Sequence, residues 1–461
     1  MSTTGETAAL ASYVVGTDYE KLPPDVALQG KRVILETLGV LLADSRLKLG
    51  IIMTSVVRQL GGRPESTVVG SDFKTSCVNA ALVNGTFGHG DELDDAHGPS
   101  TTHAAAVVVP AALAVAERQR TSGRELINAV VLGYDVGCRV VLALGPQWLR
   151  QHNFHPSCIG GCFDAAAAAS RLLKLNHRQT VYALALAGSQ ASGVLAWMTE
   201  REHMAKSFQT GVAARNGVTA ALLAMAGYEG PEAIFEGRFN IFEAFSNERN
   251  CAAVLDGLGA RYEITRTSLK KYSAGHPIHA PLDGLLQIVN EQSLQAEDIA
   301  EITVSMASGA ADIVDGRDTT SISLHNILAV GVVKRKMGME ESHSEELAND
   351  AKVVDLRGRI KVVRDAELSK EWPSRQPARV AVLTKTGRMF TQYRADSPGE
   401  PTNTLSQQEI EDKFVGLAVP VVGGPNAARV VRLCNELEDL GNVASLADLL
   451  RTPPAGLGRT T

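Results

Sequence analysis

ARVAVLTKTGRMFTQYRADSPGEPTNTLSQQEIEDKF, residues 378–414, carries two structural signatures in succession. Its first half is β-branched and partly alternating, with TKTG between two strand-like runs, the pattern of a hairpin. Its second half runs through SPGEPTNTLS (397–406) to Ser406 and Glu409, a capping-box start for the EIEDKFVGLA helix. The chain therefore leaves a sheet and enters a helix here, and what flanks this point decides the architecture.

Upstream, EITVSMAS (301–308) and GRIKVVRD (358–365) are further short strand candidates, with the helical SLHNILAVGVVKRK (323–336) between them. This interleaving predicts a small α+β domain. Before residue 265 the chain reads as helix after helix. PPDVALQGKRVILETLGVLLADS (23–45) places Val26, Leu28, Val33, Leu35, Leu38 and Val40 at roughly helical spacing behind two prolines. Ser122 with Glu125, and Asn176 with Gln179, make capping-box starts for two more helices. Small residues dominate DAAAAASRLLKL and GVTAALLAMAG, so these helices can approach closely. After residue 397 the chain is helical again, through VVRLCNELEDL and ASLADLL. A helical start, a mixed middle and a helical end predict an insertion. Residues 1–265 and 397–461 form one large, mainly α domain, and 266–396 form a smaller α+β domain within it. The tail TPPAGLGRTT is expected to fray.

The chain has 461 residues, 44% hydrophobic and 21% charged, which suits a globular protein of two or three domains. A net charge of −6 without a basic stripe argues against nucleic acid as a partner. The N-terminus lacks a basic segment followed by an apolar one, and VVVPAALAVA (107–116) is short and interrupted by Pro110. No secretory signal, no membrane span and a cytoplasmic location are therefore expected. The six cysteines are scattered apart from Cys158 and Cys162, and read as buried free thiols.

The chemistry concentrates in HGDELDDAHGPSTTH (89–103), with three histidines and four carboxylates. Gly88, Gly90, Gly98 and Pro99 break both periodicities, so this is a loop leading into a helix over 103–118. His103 then lies near a helix N-terminus, whose partial positive charge attracts anions. Asp94 and His103 read as functional, and Asp91 as a solvated loop carboxylate capping the following helix. His97 and His103 are spaced for a metal, but no H-E-x-x-H motif accompanies them, and metal is the lesser reading. Lys206 in REHMAKSFQTGVAARNG (201–217) precedes Gly211, Ala213, Ala214 and Gly217, and on spacing alone its exposure is favoured. SLKKYSAGHPIHAPLDGLL (268–286) sets Lys270, Lys271, Tyr272, His276 and His279 at the expected domain junction, where ligands are often bound. Phosphate-binding glycine loops and a G-x-S-x-G elbow are missing from the sequence. Proton transfer without a cofactor is the chemistry these residues suit.

GHGDELDDAHGPSTTHAAAVVVPAALAVAE, AKSFQTGVAARNG and LKKYSAGHPIHAPLDGL, in this order, resemble the MmgE/PrpD family. LETLGVLLAD, FHPSCIGGCFDAAAAASRLLKL and SPGEPTNTLSQQEIEDKF extend the resemblance over most of the chain. Each motif alone is weak, and several in register are specific. The resemblance implies a helical domain built from both chain ends, a lid domain between them, a homodimer, and no metal or organic cofactor. It implies lyase chemistry on a small di- or tricarboxylate. Dehydration of a 2-methylcitrate-like hydroxy acid leads, followed by cis-aconitate-type decarboxylation and by epimerisation of an imino- or amino-dicarboxylate. A catalytically silent carboxylate binder is the non-enzymatic alternative.

Carried over residue by residue, the resemblance implies His103 as the proton-transfer group, oriented by Asp94, with Lys206, Lys270, Tyr272 and His279 beside it. Glu92, Asp95, His97, His155, Lys271, His276, His325 and Asn326 are expected around the substrate. Two departures would reshape that pocket: Asn326 stands where several relatives have tyrosine, and Ala274 and Gly275 stand where cysteines are usual.

Overall fold

A computed structural model describes residues 5–200, 204–372 and 375–452. Arg201–His203 and the tail from residue 453 onwards, where fraying was expected, lie outside the described residues. The chain is mainly α and divides into two compact units. The first comprises Met1–Gly90, Asp94–Thr267 and Gln407–Thr461, and the second Asp91–Leu93 and Ser268–Ser406.

The first unit is helical. The Pro24–Asp44 helix starts on its proline, as that residue's missing N–H favours, and buries Val26, Val33, Ile34, Leu38 and Leu41. Leu28, counted in the apolar stripe from spacing, is exposed. The Gln407–Val422 helix, from the far end of the chain, packs against it, and Lys413 pairs there with the buried Glu36. Ser122 accepts the Glu125 N–H at the start of the Gly123–Leu144 helix, and Asn176 with Gln179 forms a full capping box. Contrary to the reading of sequence, the Gly123–Leu144 helix is long and apolar enough to cross a membrane by length and composition. Its apolar window is buried inside the protein, as in a core helix.

Small residues set the spacing around the Met204–Met225 helix, which packs on the Cys77–Phe87 and Pro156–Leu172 helices. A Cβ at Gly211 would fall 2.2 Å from Thr86 Oγ1 and 2.3 Å from the Leu82 carbonyl oxygen. One at Gly217 would meet the Cys162 carbonyl oxygen at 2.6 Å. No larger residue fits without moving backbone.

The second unit is built on a four-stranded sheet. Its central strand, Ile299–Met306, pairs parallel with Ile360–Arg364 and antiparallel with Ala378–Thr384, which forms a hairpin with Met389–Arg394. The hairpin turns on Gly387, whose φ of +82° is open to glycine at no steric cost. The His279–Glu291 helix packs on the hairpin strands and on the Leu324–Lys334 helix. Leu282, Leu285, Val304, Leu328, Val380 and Val382 form the shared core. SPGEPTNTLS stays with this unit, because Leu269 N–H donates to Gly399 O at 3.0 Å and Gly399 N–H to Asn403 O at 2.8 Å. The helical unit therefore resumes at Gln407 and not at the end of the strands. All six cysteines are free thiols, Cys251 half-buried and the other five buried.

Candidate active site

The Cys77–Phe87 helix ends at Gly88, and His89 follows it into the interior. Ser207 Oγ donates to the His89 carbonyl oxygen at 2.7 Å, tying the loop to the Met204–Met225 helix. His89 Nδ1 lies 2.6 Å from Asp94 Oδ2. The same oxygen is 3.0 Å from His103 Nδ1, which is also 2.6 Å from the Asp95 carbonyl oxygen. A carbonyl oxygen can only accept, so His103 carries its hydrogen on Nδ1 and keeps Nε2 for exchange. The backbone N–H of His103 donates to Ser157 Oγ at 3.1 Å, and its side chain is 21% exposed.

Asp95 turns the other way. Its Oδ1 accepts the Ala105 N–H at 3.1 Å and satisfies a donor at the start of the Ala105–Gln119 helix. Its Oδ2 lies in a hydrogen-bonded cluster with two hydroxyls, 2.6 Å from Tyr134 Oη and 3.1 Å from Thr267 Oγ1. Burial, reinforced by the adjacent Asp94 charge, pushes Asp95 up to about 8, so it is largely a neutral acid at neutral pH. Burial likewise holds His89 down to about 3 against the pull of Asp94. His89 is therefore a neutral imidazole, and its buried Nε2 has no hydrogen-bond partner among the described residues.

His155 precedes the Pro156–Leu172 helix, with its N–H on Gly193 O at 3.0 Å and Nδ1 2.9 Å from Gln209 Oε1 and 3.1 Å from Cys158 Sγ. Burial, and then His89, push its pKa well below the ordinary imidazole range. The His89 ring centroid is 4.4 Å from that of His103 and 6.0 Å from that of His155, which is 5.4 Å from Trp197. Lys206 Nζ lies 5.6 Å from the Trp197 ring. Lys206 is 5% exposed, which corrects the exposure favoured on spacing alone: the glycines that bring its helix against two neighbours also bury the lysine. Two neutral imidazoles, a third imidazole 3.0 Å from a carboxylate and a buried ammonium make a site suited to binding an anion and moving a proton.

Donor atoms of His89, Asp94 and His103 lie within 4.8 Å of one another, the one such group among the described residues. Both Nδ1 atoms face Asp94 at hydrogen-bond distance, so a metal bound there would have to displace two N–H donors. His97, paired with His103 in the metal reading, stands apart. Its ring is wholly buried, with Nδ1 2.6 Å from Ser100 Oγ and Nε2 3.2 Å from Glu263. It ties down the loop through Nδ1, with Nε2 turned to the Glu263 carboxylate.

The remaining candidates belong to the second unit. Asp91 is not a solvated loop carboxylate: it is buried, accepts from Ser273 Oγ at 2.6 Å and lies 3.1 Å from His343 Nε2. Burial would raise its pKa, and His343 with Ser273 outweighs that and holds it below the usual carboxylate value. Glu92 meets Lys270 Nζ at 3.1 Å, with Lys270 1% exposed. Tyr272 Oη donates to Asp283 at 2.9 Å, and Lys271 Nζ is 5.7 Å from the Tyr272 ring. His279 Nε2 lies 3.1 Å from Ala274 O. His276 pairs with Glu400 at 2.7 Å and Gln376 at 3.1 Å. His325 is 3.9 Å from Asp315, and the buried Asn326 donates to Thr320 O at 3.4 Å.

Sequence reading passed over His89, Trp197 and Tyr134. His89 opens the charged stretch itself, and its position five residues before Asp94 was the available signal. Tyr134 lies in the apolar run of a core helix and carries none.

Comparison with known proteins identifies the family of the chain. The MmgE/PrpD N-terminal domain matches residues 8–253 and the MmgE/PrpD C-terminal domain residues 272–438. A cis-aconitate decarboxylase-like protein, oryM, of Aspergillus oryzae is 27% identical, over 96% of this chain and 97% of its own. Cis-aconitate decarboxylase of Aspergillus terreus is 24% identical, over 97% and 96%. That of Mus musculus is 24% identical, over 97% and 93%. The chain belongs to the MmgE/PrpD family, a lyase-type family of enzymes.

Proposed function

We propose that the chain is a carboxy-lyase acting on a cis-aconitate-like tricarboxylate, with His103 as the proton-transfer residue. The observation that carries this reading is the contact of His103 Nδ1–H with Asp94 and the Asp95 carbonyl, which turns Nε2 into the exchanging nitrogen. Similarity to cis-aconitate decarboxylases at both chain ends and through the middle supports decarboxylation over the dehydration that the sequence put first.

In such a reaction Lys206 binds a substrate carboxylate by a charge-assisted hydrogen bond. The bond from carbon to the departing carboxylate breaks, its electron pair stays with the carbon framework, and CO2 leaves. His103 delivers a proton from Nε2 to carbon and regains one from solvent, so one proton is taken up for each CO2 lost. Asp94 stabilises the imidazolium on the opposite edge of the ring. His155 and His89, both neutral, surround the developing charge without adding one.

Dehydration is the second reading, favoured by Asn326 in place of the tyrosine found in several decarboxylases. His103 would then take the proton α to a carboxylate as hydroxide leaves. An NMR assay in D2O separates the two. Citrate, methylcitrate, cis-aconitate and iminodisuccinate are offered in turn. Loss of CO2 with one deuterium gained on carbon is expected for cis-aconitate. Loss of water from a hydroxy acid instead would select dehydration, and deuterium uptake without net change would select epimerisation.

A further inference from the structure

We propose that His89 is a positioning residue whose Nδ1–H pins the Asp94 carboxylate and draws off part of its charge, so that Asp94 orients His103 without over-stabilising its protonated form. Asp94 Oδ2 faces two imidazole nitrogens, and the shorter contact, 2.6 Å, is to His89, not the 3.0 Å to His103. The His89 N–H is hydrogen-bonded to this oxygen, whereas His103, whose own Nδ1–H bonds the Asp95 carbonyl, meets the carboxylate as a charge 3.0 Å away, so charge drawn off by His89 is withdrawn from His103.

His89 is too enclosed to exchange protons with a substrate. Its ring is buried, and its Nε2 lone pair meets no partner among the described residues. A buried, unsatisfied imidazole nitrogen is costly, and a leucine would fill the space without that cost. The ring is explained by its other edge. Burial also keeps it neutral, so it donates from Nδ1 without adding a positive charge beside Lys206.

The groups around His103 in this unit come from three elements. They are His89, Asp94 and Asp95 from its own loop, His155 and Ser157 at the start of the Pro156–Leu172 helix, and Lys206 on the Met204–Met225 helix, whose charge acts on His89 and His155. Asp94 is the carboxylate in direct contact, and Asp95 offers only its backbone oxygen. Any change in how tightly Asp94 is held elsewhere is therefore felt at His103.

The kinetic consequence rests on the assignment of His103 above, and the primary test does not need turnover. The full-length protein is labelled with 13C,15N-histidine, and the His103 signal is identified by its loss in His103→Gln. In the unmodified protein His89 should remain a neutral Nδ1–H imidazole between about pH 5 and 9. In His89→Leu, with folding checked by circular dichroism and melting temperature, the His103 titration midpoint should rise by roughly one unit, the effect of one lost charge-assisted hydrogen bond. In His89→Asn, whose side-chain amide sits where Nδ1 does, it should return to the original value. An unchanged midpoint in the leucine variant, equal shifts in both variants, or a His89 that protonates within the range would each overturn the proposal. Should the leucine variant fail to fold, the unmodified tautomer and the asparagine variant still decide it. A protein that turns over none of the acids tested but shows these titrations would fault the proposed reaction alone.

Discussion

His103 presents Nε2 because both acceptors facing its other nitrogen, a carboxylate and a backbone carbonyl, lack a proton to give. Replacing it with glutamine should leave the fold intact, since the side chain is partly exposed, and cut kcat by roughly 10²- to 10⁴-fold, the usual reach of general acid–base catalysis. Stopped-flow or NMR turnover on cis-aconitate measures this, and a variant that keeps its rate would remove His103 from the chemistry. Asp95 makes a different prediction. A carboxyl whose folded pKa, about 8, lies above its unfolded value holds its proton longer in the native state. Its contribution to stability is fully present below about pH 4 and declines as pH rises to about 8. Asp95→Asn does not titrate, so melting temperatures of variant and parent should diverge in the variant's favour over that window. Parallel curves would show Asp95 ionised in the fold. The carboxylates of ELDD were legible as chemistry, but not their separate fates. In a glycine-broken loop no period says which side chain turns inward.

Among the elements, the helix that carries Lys206 is held by residues that have no side chain to spare. Gly211→Ala would push a Cβ into the Leu82 carbonyl and Thr86 of the Cys77–Phe87 helix. Backbone must then move, at about 1–3 kcal/mol, and Lys206 moves with it. Chemical denaturation should show the loss, and KM should rise in the same variant. Gly416, in the middle of the Gln407–Val422 helix, has nothing within 4 Å of its would-be Cβ. Gly416→Ala should stabilise by up to roughly 1 kcal/mol through helix propensity alone. Equal effects at the two positions would deny that close packing places the lysine. This close packing could be read from the run of glycine and alanine around 211–217. Its effect on Lys206 could not, because composition fixes how near two helices come and not which way a terminal side chain is carried.

At the scale of the molecule, the chain assigns neighbours in one loop to different units: Asp91–Leu93 to the second, Gly90 and Asp94 to the first. The insertion was legible because hydrophobic period changes twice, from helical to alternating and back. Its end was not, because SPGEPTNTLS has no period and is attached by backbone pairing to Leu269. Nor could spacing reveal that Asp91 leaves solvent for Ser273 and His343. The whole protein also offers a test of anion binding separate from chemistry. A ligand that binds only the folded state raises stability by RT ln(1 + [L]/Kd), about 2.7 kcal/mol at a hundredfold excess over Kd. Tricarballylate, a saturated tricarboxylate with no double bond to protonate, should therefore raise the melting temperature. The rise should shrink with added salt if the buried ammonium is the anchor. Lys206→Met should lose it and His103→Gln should keep most of it, since one residue binds and the other transfers a proton. Prior dialysis against EDTA should leave both the shift and the turnover unchanged, because the Nδ1 edges of His89 and His103 are occupied by Asp94. A shift that survives Lys206→Met, or vanishes with EDTA and returns with zinc, would move the binding of the substrate off the lysine and onto a metal.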